Sequence, residues 1–549
     1  MDWNKYKRYP AFKYENRTWP GKTIDKAPIW CSVDLRDGNQ ALPVPMNVEK
    51  KLKMFNLLKR IGFKEIEVAF PSASDTDFRF VRALIEDGHL DDDTVIQVLT
   101  QAREHLIKKT FESIIGAKQA IFHYYNSTSE QQRRIVFKMD KPEIKKIALD
   151  GVKLIKQLSK DYDTKIQLEY SPESFTGTEM EFALEICEEI MNVWQPTPEN
   201  KAIINLPATV EMTTPNVYAD QIEWFSRKIS CRDSIILSLH THNDRGTGVA
   251  ASELGIMAGA DRVEGTLFGN GERTGNVDII NLAMNLYSQG INPGLDLFDM
   301  DMISRTYEEC TDMDISERHP YAGQLVYTAF SGSHQDAIYK GFKYSTEYKP
   351  EYWDVPYLPI DPSDVGRKYE AIIRINSQSG KGGVAFVMEH EFGYRLPKAM
   401  HPEFGSMIKQ KSDTLGKELS PDEIMQTFKE NYLEIKAPFV LLDYSVQSDS
   451  NTVKVNATIQ SENGTKNISG SGNGPISAFF DALNATRLAK YRFEAYEGHA
   501  LSSGADAEAV AYIQLANGGG KSIFGVGKDR NTTTASFQAI MCALNRVIK

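Results

Sequence analysis

At 549 residues the chain is too long for one ordinary core, and roughly two to four domains is the natural expectation. Its 41% hydrophobic and 25% charged content is that of a globular protein, and no uninterrupted apolar run is long enough to span a bilayer. A formal net charge of -11 argues against a nucleic-acid or anionic-membrane surface, while a local basic pocket for a small anion stays open.

The five cysteines, Cys31, Cys187, Cys231, Cys310 and Cys542, make no C-x-x-C pair and no framework spacing, which points to a reducing compartment. The start, Met1-Asp2-Trp3-Asn4-Lys5-Tyr6-Lys7, has no apolar h-region, so the cytoplasm is the expected location. After an N-terminal extension (1–27), one pattern repeats through residue 290: a short β-branched run, a loop, then a helical stretch. The expected strands are Ile29–Val33, Glu65–Ala69, Thr94–Leu99, Ala120–Tyr124, Lys165–Tyr170, Ala202–Leu206, Ser234–Leu239 and Arg262–Leu267. Between them, apolar residues recur at helical spacing, as in Met54, Leu57, Leu58 and Ile61. Such a series favours α/β architecture closed as a (β/α)8 TIM barrel over 28–325, with the loops after the strands sharing one face.

Residues 326–432 are expected to form small linker subdomains. Ser331-Gly332-Ser333-His334 interrupts a helical stretch, Ser377 to Gly383 reads as a loop ahead of a strand at Val384–Met388, and Pro397 to Tyr432 as one or two helices. Residues 433–549 read as an α+β domain with an internal duplication. One pass is strands Phe439–Tyr444 and Val453–Ile459, a loop at Gly470–Pro475, and a helix from Ile476 to about Tyr491. The second is strands Val510–Ala516 and Ser522–Val526 about Gly518-Gly519-Gly520, then a helix from Thr534 to Val547. The spacing of Gly470, Gly472 and Gly474 is wrong for a dinucleotide fingerprint. A small α+β module of this kind suits a ligand sensor or an assembly domain.

The barrel carries the chemistry. His240 and His242 end the seventh strand, and alternation along a strand sends both imidazoles to the same side. A lone H-x-H is as often a hydrogen-bonded pair as a metal site. Asp34-Leu35-Arg36-Asp37-Gly38-Asn39-Gln40, after the first strand, shifts the balance, because a carboxylate with two imidazoles suits an oxygen- and nitrogen-ligated divalent cation. Held by Asp37, His240 and His242, such an ion could polarise a 2-oxo acid. Arg36 beside it suits either the charge that builds on the ketone oxygen or a plain ion pair. A base and an acid are also needed, and Glu173 and His334 are candidates by residue type. Gly269, Gly271 and Gly275 surround Arg273 in a loop expected to run into a helix from Asn276, which would offer backbone N–H groups to a phosphate.

These stretches carry a resemblance. DLRDGNQ (34–40), EYSPESFTGTE (169–179), LPATVEMTTPN (206–216), HTHNDRGTGVA (240–250) and GNGERTGNVD (269–278) resemble the 2-isopropylmalate synthase family in its longer form. SGSHQDAI (331–338), VPYLPIDPSDVGR (355–367) and NSQSGKGGVA (376–385) are similar to its subdomains, and GSGNGPISAFFDAL (470–483) to its regulatory domain. The resemblance implies a metal-dependent, Claisen-type condensation of acetyl-CoA with 3-methyl-2-oxobutanoate and water, giving 2-isopropylmalate and CoA in leucine biosynthesis. By the same resemblance Asp37, His240 and His242 bind the metal with Asn276 near it, while Arg36, Glu173 and Thr209 face the oxo acid and His123 lies near the substrates. Magnesium is the foremost ion, with manganese or zinc tolerated by the same ligands. His334 and Tyr357 are expected to reach the active site of the partner in a homodimer, and leucine to bind the C-terminal duplication as feedback inhibitor. Asn39 stands where many relatives have Glu, which reads as subtype. Two rivals stand beside this reading: a sister synthase using pyruvate or 2-oxoglutarate, and a silent barrel that binds metal and leucine as a sensor.

Overall fold

Eight parallel strands close into a barrel in strict sequence order, β1 to β8, with β8 returning to β1. The strands are β1 (Ile29–Ser32), β2 (Glu65–Ala69), β3 (Val95–Gln101), β4 (Gln119–Ser127), β5 (Lys165–Glu173), β6 (Ala202–Ala208), β7 (Ile235–Thr241) and β8 (Arg262–Gly265). This is a computed structural model, and it describes residues 3–329, 331–369, 381–415, 419–433, 435–450, 452–462, 464–484, 491–501, 507–517 and 522–548. The helices between the strands are α1 (Val48–Ile61), α2 (Asp75–Glu86), α3 (Glu104–Ser113), α4 (Lys141–Leu158), α5 (Met180–Trp194), α6 (Pro215–Lys228), α7 (Gly248–Met257) and α8 (Ile279–Tyr287), and α9 (Met300–Thr311) follows. Their starts follow local chemistry: Ser74 caps α2 by accepting from the Asp77 amide, and Asp140 with Glu143 forms a capping box on α4.

Alternation along the strands gives the barrel a polar lumen. In β2, Ile66 and Val68 turn outward to the helices, whereas Glu67 turns inward. Register places His123 beside Glu169 and His240 beside Glu264. Parallel barrels are commonly filled by branched apolar side chains, so a buried layer of charge is a departure that each of its members must offset with a partner. The N-terminal segment is pinned to α6, where Trp19 donates its indole N–H to buried Asp220 at 2.8 Å and the Thr18 amide to Glu223 at 2.9 Å.

The chain divides into two compact units, Met1–Val326 with Ile360–Lys368, and Tyr327–Pro359 with Tyr369–Lys549. In the second, Ser331 to His334 open helix α10 (Gly332–Tyr348) rather than interrupting one. The stretch Val384–Met388, expected as a strand, lies inside α11 (Lys381–Phe392), with Val384, Val387 and Met388 buried at helical spacing. Ser377 to Gly380 lie outside the described residues. Helices α12 (His401–Leu415) and α13 (Pro421–Phe428) complete this region.

Each C-terminal pass has three antiparallel strands and a helix, one strand more than expected. The first is β9 (Val440–Ser448), β10 (Val453–Ser461), β11 (Gly464–Gly472) and α14 (Pro475–Asn484); the second is β12 (Tyr491–Ala500), β13 (Ala509–Asn517), β14 (Ser522–Asp529) and α15 (Thr532–Ile548). The expected glycine turn at 518–520 lies outside the described residues. Gly470 and Gly472 sit in β11 rather than in a loop, because the helix packs on them: a Cβ at Gly470 would lie 2.2 Å from the Ala482 amide nitrogen. Gly525 and Gly527 repeat the arrangement in β14 against α15. The helices α14 and α15 share one core, stacked through Phe479 and Phe537 at 4.1 Å, while the opposite face of the second sheet packs on α11 to α13.

Candidate active site

A cavity of about 230 Å³ opens at the C-terminal ends of the barrel strands, with Arg36, Asp37, His123, Glu173, His240 and His242 among its walls. Arg36 and Asp37 reach it from a tight turn after β1, in which the Val33 carbonyl accepts from the amides of Arg36, Asp37 and Gly38. One ligand atom each from Asp37, His240 and His242 falls within 4.8 Å of the others. Asp37 Oδ2 lies 3.5 Å from His240 Nε2 and 3.8 Å from His242 Nε2.

Three buried polar atoms here, Asp37 Oδ2, His242 Nδ1 and Asn276 Oδ1, have no hydrogen-bond partner. Asn276 is brought alongside by its bridge to His242, and its amide nitrogen donates to the Asn270 carbonyl at 3.0 Å. Buried oxygens left in this state call for a ligand. The donor set fits a divalent cation, with nitrogen and oxygen donors, one carboxylate and no thiolate.

The support beneath these side chains lies in the lumen, and sequence reading missed most of it. Glu264 accepts from His240 Nδ1 at 2.8 Å, which orients the ring with Nε2 toward Asp37. The same carboxylate accepts from Gln97, Asn205 and Arg262. Arg36 is gripped on one side by Glu67 and on the other by Asp37 Oδ1 at 2.7 Å. His123 bridges Glu67 Oε2 and the Ser171 hydroxyl, each at 2.7 Å. Glu169, from β5, is fully buried in the lumen near Arg262 and His123. The available signal was polar residues at period two inside apolar strands, as in Glu65-Ile66-Glu67 or Arg262-Val263-Glu264.

Charge follows from this packing. Burial raises the Asp37 carboxyl, but Arg36 and His240 outweigh it and hold it well below the usual carboxylate range. Burial lowers His240, yet Asp37 and Glu264 push it up to about 9. His242 is drawn down to about 4 by burial and by the neighbouring His240, leaving it a neutral imidazole near pH 7. Glu169 is raised well above its ordinary value by burial and by Glu264.

The rim comes from other loops. Glu173 is the last residue of β5 and accepts from the Ser127 hydroxyl. Thr209 follows β6, and its hydroxyl accepts from the Ser174 amide at 2.9 Å. Arg273 donates to Asp244 Oδ1 at 2.7 Å and to the Thr209 carbonyl, tying three loops together. The expected helix start at Asn276 is not observed: α8 begins at Ile279 and Asp278 caps it by accepting from the Asn281 amide. Gly269, Gly271 and Gly275 have left-handed φ, and the loop folds back so closely that a Cβ at Gly275 would lie 1.8 Å from the Gly269 carbonyl oxygen. His334 and Tyr357 belong to the second unit, where their rings stack with centroids 4.0 Å apart and Tyr357 is exposed.

The family model described as HMGL-like matches residues 27–306. The alpha-isopropylmalate synthase post-catalytic domain matches 324–389, and the LeuA allosteric (dimerisation) domain matches 418–548. The chain is 60% identical to a 2-isopropylmalate synthase of Clostridium acetobutylicum, covering 100% of this chain and 99% of that one. It is 54% identical to a 2-isopropylmalate synthase of Pseudomonas syringae pv. syringae, covering 99% and 97%. A solved hydroxymethylglutaryl-CoA lyase from Pseudomonas aeruginosa covers 54% of this chain and 97% of its own, at 17% identity and TM-score 0.44. Among the described residues no helix is long and apolar enough to cross a membrane.

Proposed function

The chain belongs to the 2-isopropylmalate synthase family, and from that premise we propose how its barrel face carries out the condensation of acetyl-CoA with 3-methyl-2-oxobutanoate. Hydrolysis of the product thioester then gives 2-isopropylmalate and CoA, in the leucine pathway and under feedback by leucine. The observation that carries the reading is the convergence of Asp37, His240 and His242 on one cavity, with Asn276 bridged to His242 and unpartnered buried atoms on Asp37, His242 and Asn276.

These four residues would hold a divalent cation, magnesium foremost, which when bound draws electron density from the ketone and carboxylate oxygens of the oxo acid. Arg36, held between Glu67 and Asp37, keeps a fixed positive charge at the cavity wall and steadies the alkoxide that forms as the ketone carbon is attacked. The Thr209 hydroxyl already accepts from Ser174, so its own hydrogen is left to donate to the oxo acid carboxylate. Glu173 and His123 orient the substrate from the opposite strands. The loop of Gly269, Gly271, Arg273 and Gly275 is where the CoA end of the thioester is placed. His334 and Tyr357 supply acid and base from the partner of a homodimer. One of them takes a methyl proton from acetyl-CoA so that the methyl carbon can attack the ketone carbon. Leucine binds the duplicated C-terminal domain.

Release of free CoA thiol tests this, measured with 3-methyl-2-oxobutanoate, with and without added Mg2+, then with leucine. Metal-dependent release suppressed by leucine is expected. Release only with pyruvate or 2-oxoglutarate would move the chain to a sister activity, and no release with any oxo acid would refute the reading.

A further inference from the structure

Lys51 takes no part in the chemistry above, yet its side chain is completely shielded from solvent within the barrel unit. It lies on the inner face of α1, one turn before Met54. A buried ammonium is unfavourable unless every hydrogen is used. Here all three are: Nζ donates to Asp77 Oδ1 at 2.6 Å, to the Leu35 carbonyl at 2.9 Å and to the Val68 carbonyl at 3.4 Å. The ring of Phe80 covers the ammonium at 5.2 Å from its centroid.

The acceptors identify what is being held. Leu35 directly precedes Arg36 and Asp37 in the turn after β1. Val68 follows Glu67, the carboxylate that grips Arg36. Asp77 accepts from the amide of Phe70, a residue of the cavity wall, through its other oxygen at 2.9 Å. One side chain therefore ties the turn bearing Asp37 to the strand end bearing Glu67 and to the start of α2. A methionine would fill the same volume on α1 with no desolvation cost and none of these ties.

We propose that Lys51 is a positioning residue for the site, fixing the Leu35 carbonyl against the end of β2 so that Asp37 and Arg36 stand in binding geometry; this rests on the cation site proposed above. Outer partners of metal ligands contribute on the order of 10- to 100-fold in affinity or activity, and an effect of that size is expected here.

The test is calorimetric titration of Mn2+ into metal-stripped protein, with kcat measured alongside. Lys51→Met alone strands the Asp77 carboxylate and can fail to fold, so Lys51→Met/Asp77→Asn is the working variant. It removes both charges and keeps an acceptor for the Phe70 amide. The expected result is a folded protein, by circular dichroism and a cooperative urea transition, whose Mn2+ dissociation constant rises about tenfold or more while kcat falls in parallel. Wild-type Mn2+ affinity and kcat in that folded variant would overturn the proposal and leave Lys51 a structural ion pair. Asp37→Asn is the control: full loss of Mn2+ binding upholds the site itself. Undiminished binding in Asp37→Asn refutes the site, and with it this inference, whatever the Lys51 variants do.

Discussion

Replacing Glu264 by glutamine changes one atom of the lumen, and its cost follows from the count of donors. Oε1 accepts from Gln97 Nε2 at 2.9 Å and Arg262 Nη1 at 2.8 Å, while Oε2 accepts from His240 Nδ1 at 2.8 Å and Asn205 Nδ2 at 3.0 Å. A glutamine has one acceptor oxygen, so whichever way the amide turns, its NH2 faces two donors and two bonds are lost. Hydrogen bonds to charged groups contribute about 1.5–3 kcal/mol each, which gives a loss of about 3–6 kcal/mol. Arg262 retains Glu65, Gln97 and Ser238, so its charge is not orphaned and the lower end, about 3 kcal/mol, is expected. Metal affinity should fall by roughly 10- to 100-fold, because even with its oxygen turned to His240 a neutral amide holds the imidazole less firmly than the carboxylate does. Urea denaturation followed by tryptophan fluorescence reports the barrel, where Trp19 and Trp30 are buried, and Mn2+ titration reports the site. A loss below about 1 kcal/mol together with unchanged Mn2+ affinity would refute the account of the lumen as the ligands' support.

Asp37→Ala or His242→Ala should lower CoA release by about a thousandfold or more with the circular dichroism spectrum unchanged, since several kcal/mol of charge stabilisation depend on the site; retained turnover in either would count against the ligand assignment. Mixing His334→Ala protein with Arg36→Ala protein should restore part of the activity if sites are shared across a homodimer, and an absence of rescue after co-refolding would remove that part of the reading. Glu179 is paired with Arg133 at 2.8 Å, and although burial raises its carboxyl, Arg133 and Lys141 bring it down to about 2. A lowered carboxyl contributes stability that is present above its unfolded value and is lost as pH falls through the folded one. Glu179→Gln should therefore flatten the stability profile between about pH 4.3 and 2. At 40% exposure the effect is small, and an unchanged acid limb would dismiss the pair as a contributor.

The order of strands and helices in the barrel was legible in the sequence, because each parallel strand is a short apolar run bounded by turn residues and each helix carries its own period. Asp37, His240 and His242 were legible for the same reason, since a strand end fixes the side on which a side chain emerges, and a closed barrel sends strand ends to one face. The C-terminal glycines were legible unevenly: Gly525 falls inside the expected strand Ser522–Val526, whereas Gly470 and Gly472, which end β11 under a helix that packs on them, were read as a loop because nothing local separates such a strand end from one. Val384 to Met388 was misread because a short apolar run satisfies either period. What the tertiary structure alone decided is partnership. That Glu264 anchors His240, that Glu67 grips Arg36 and that Lys51 binds the turn before Asp37 depends on barrel closure and on which helix covers which strand end. A chain's local periodicity records which way a side chain faces, and only the folded register determines what it meets there.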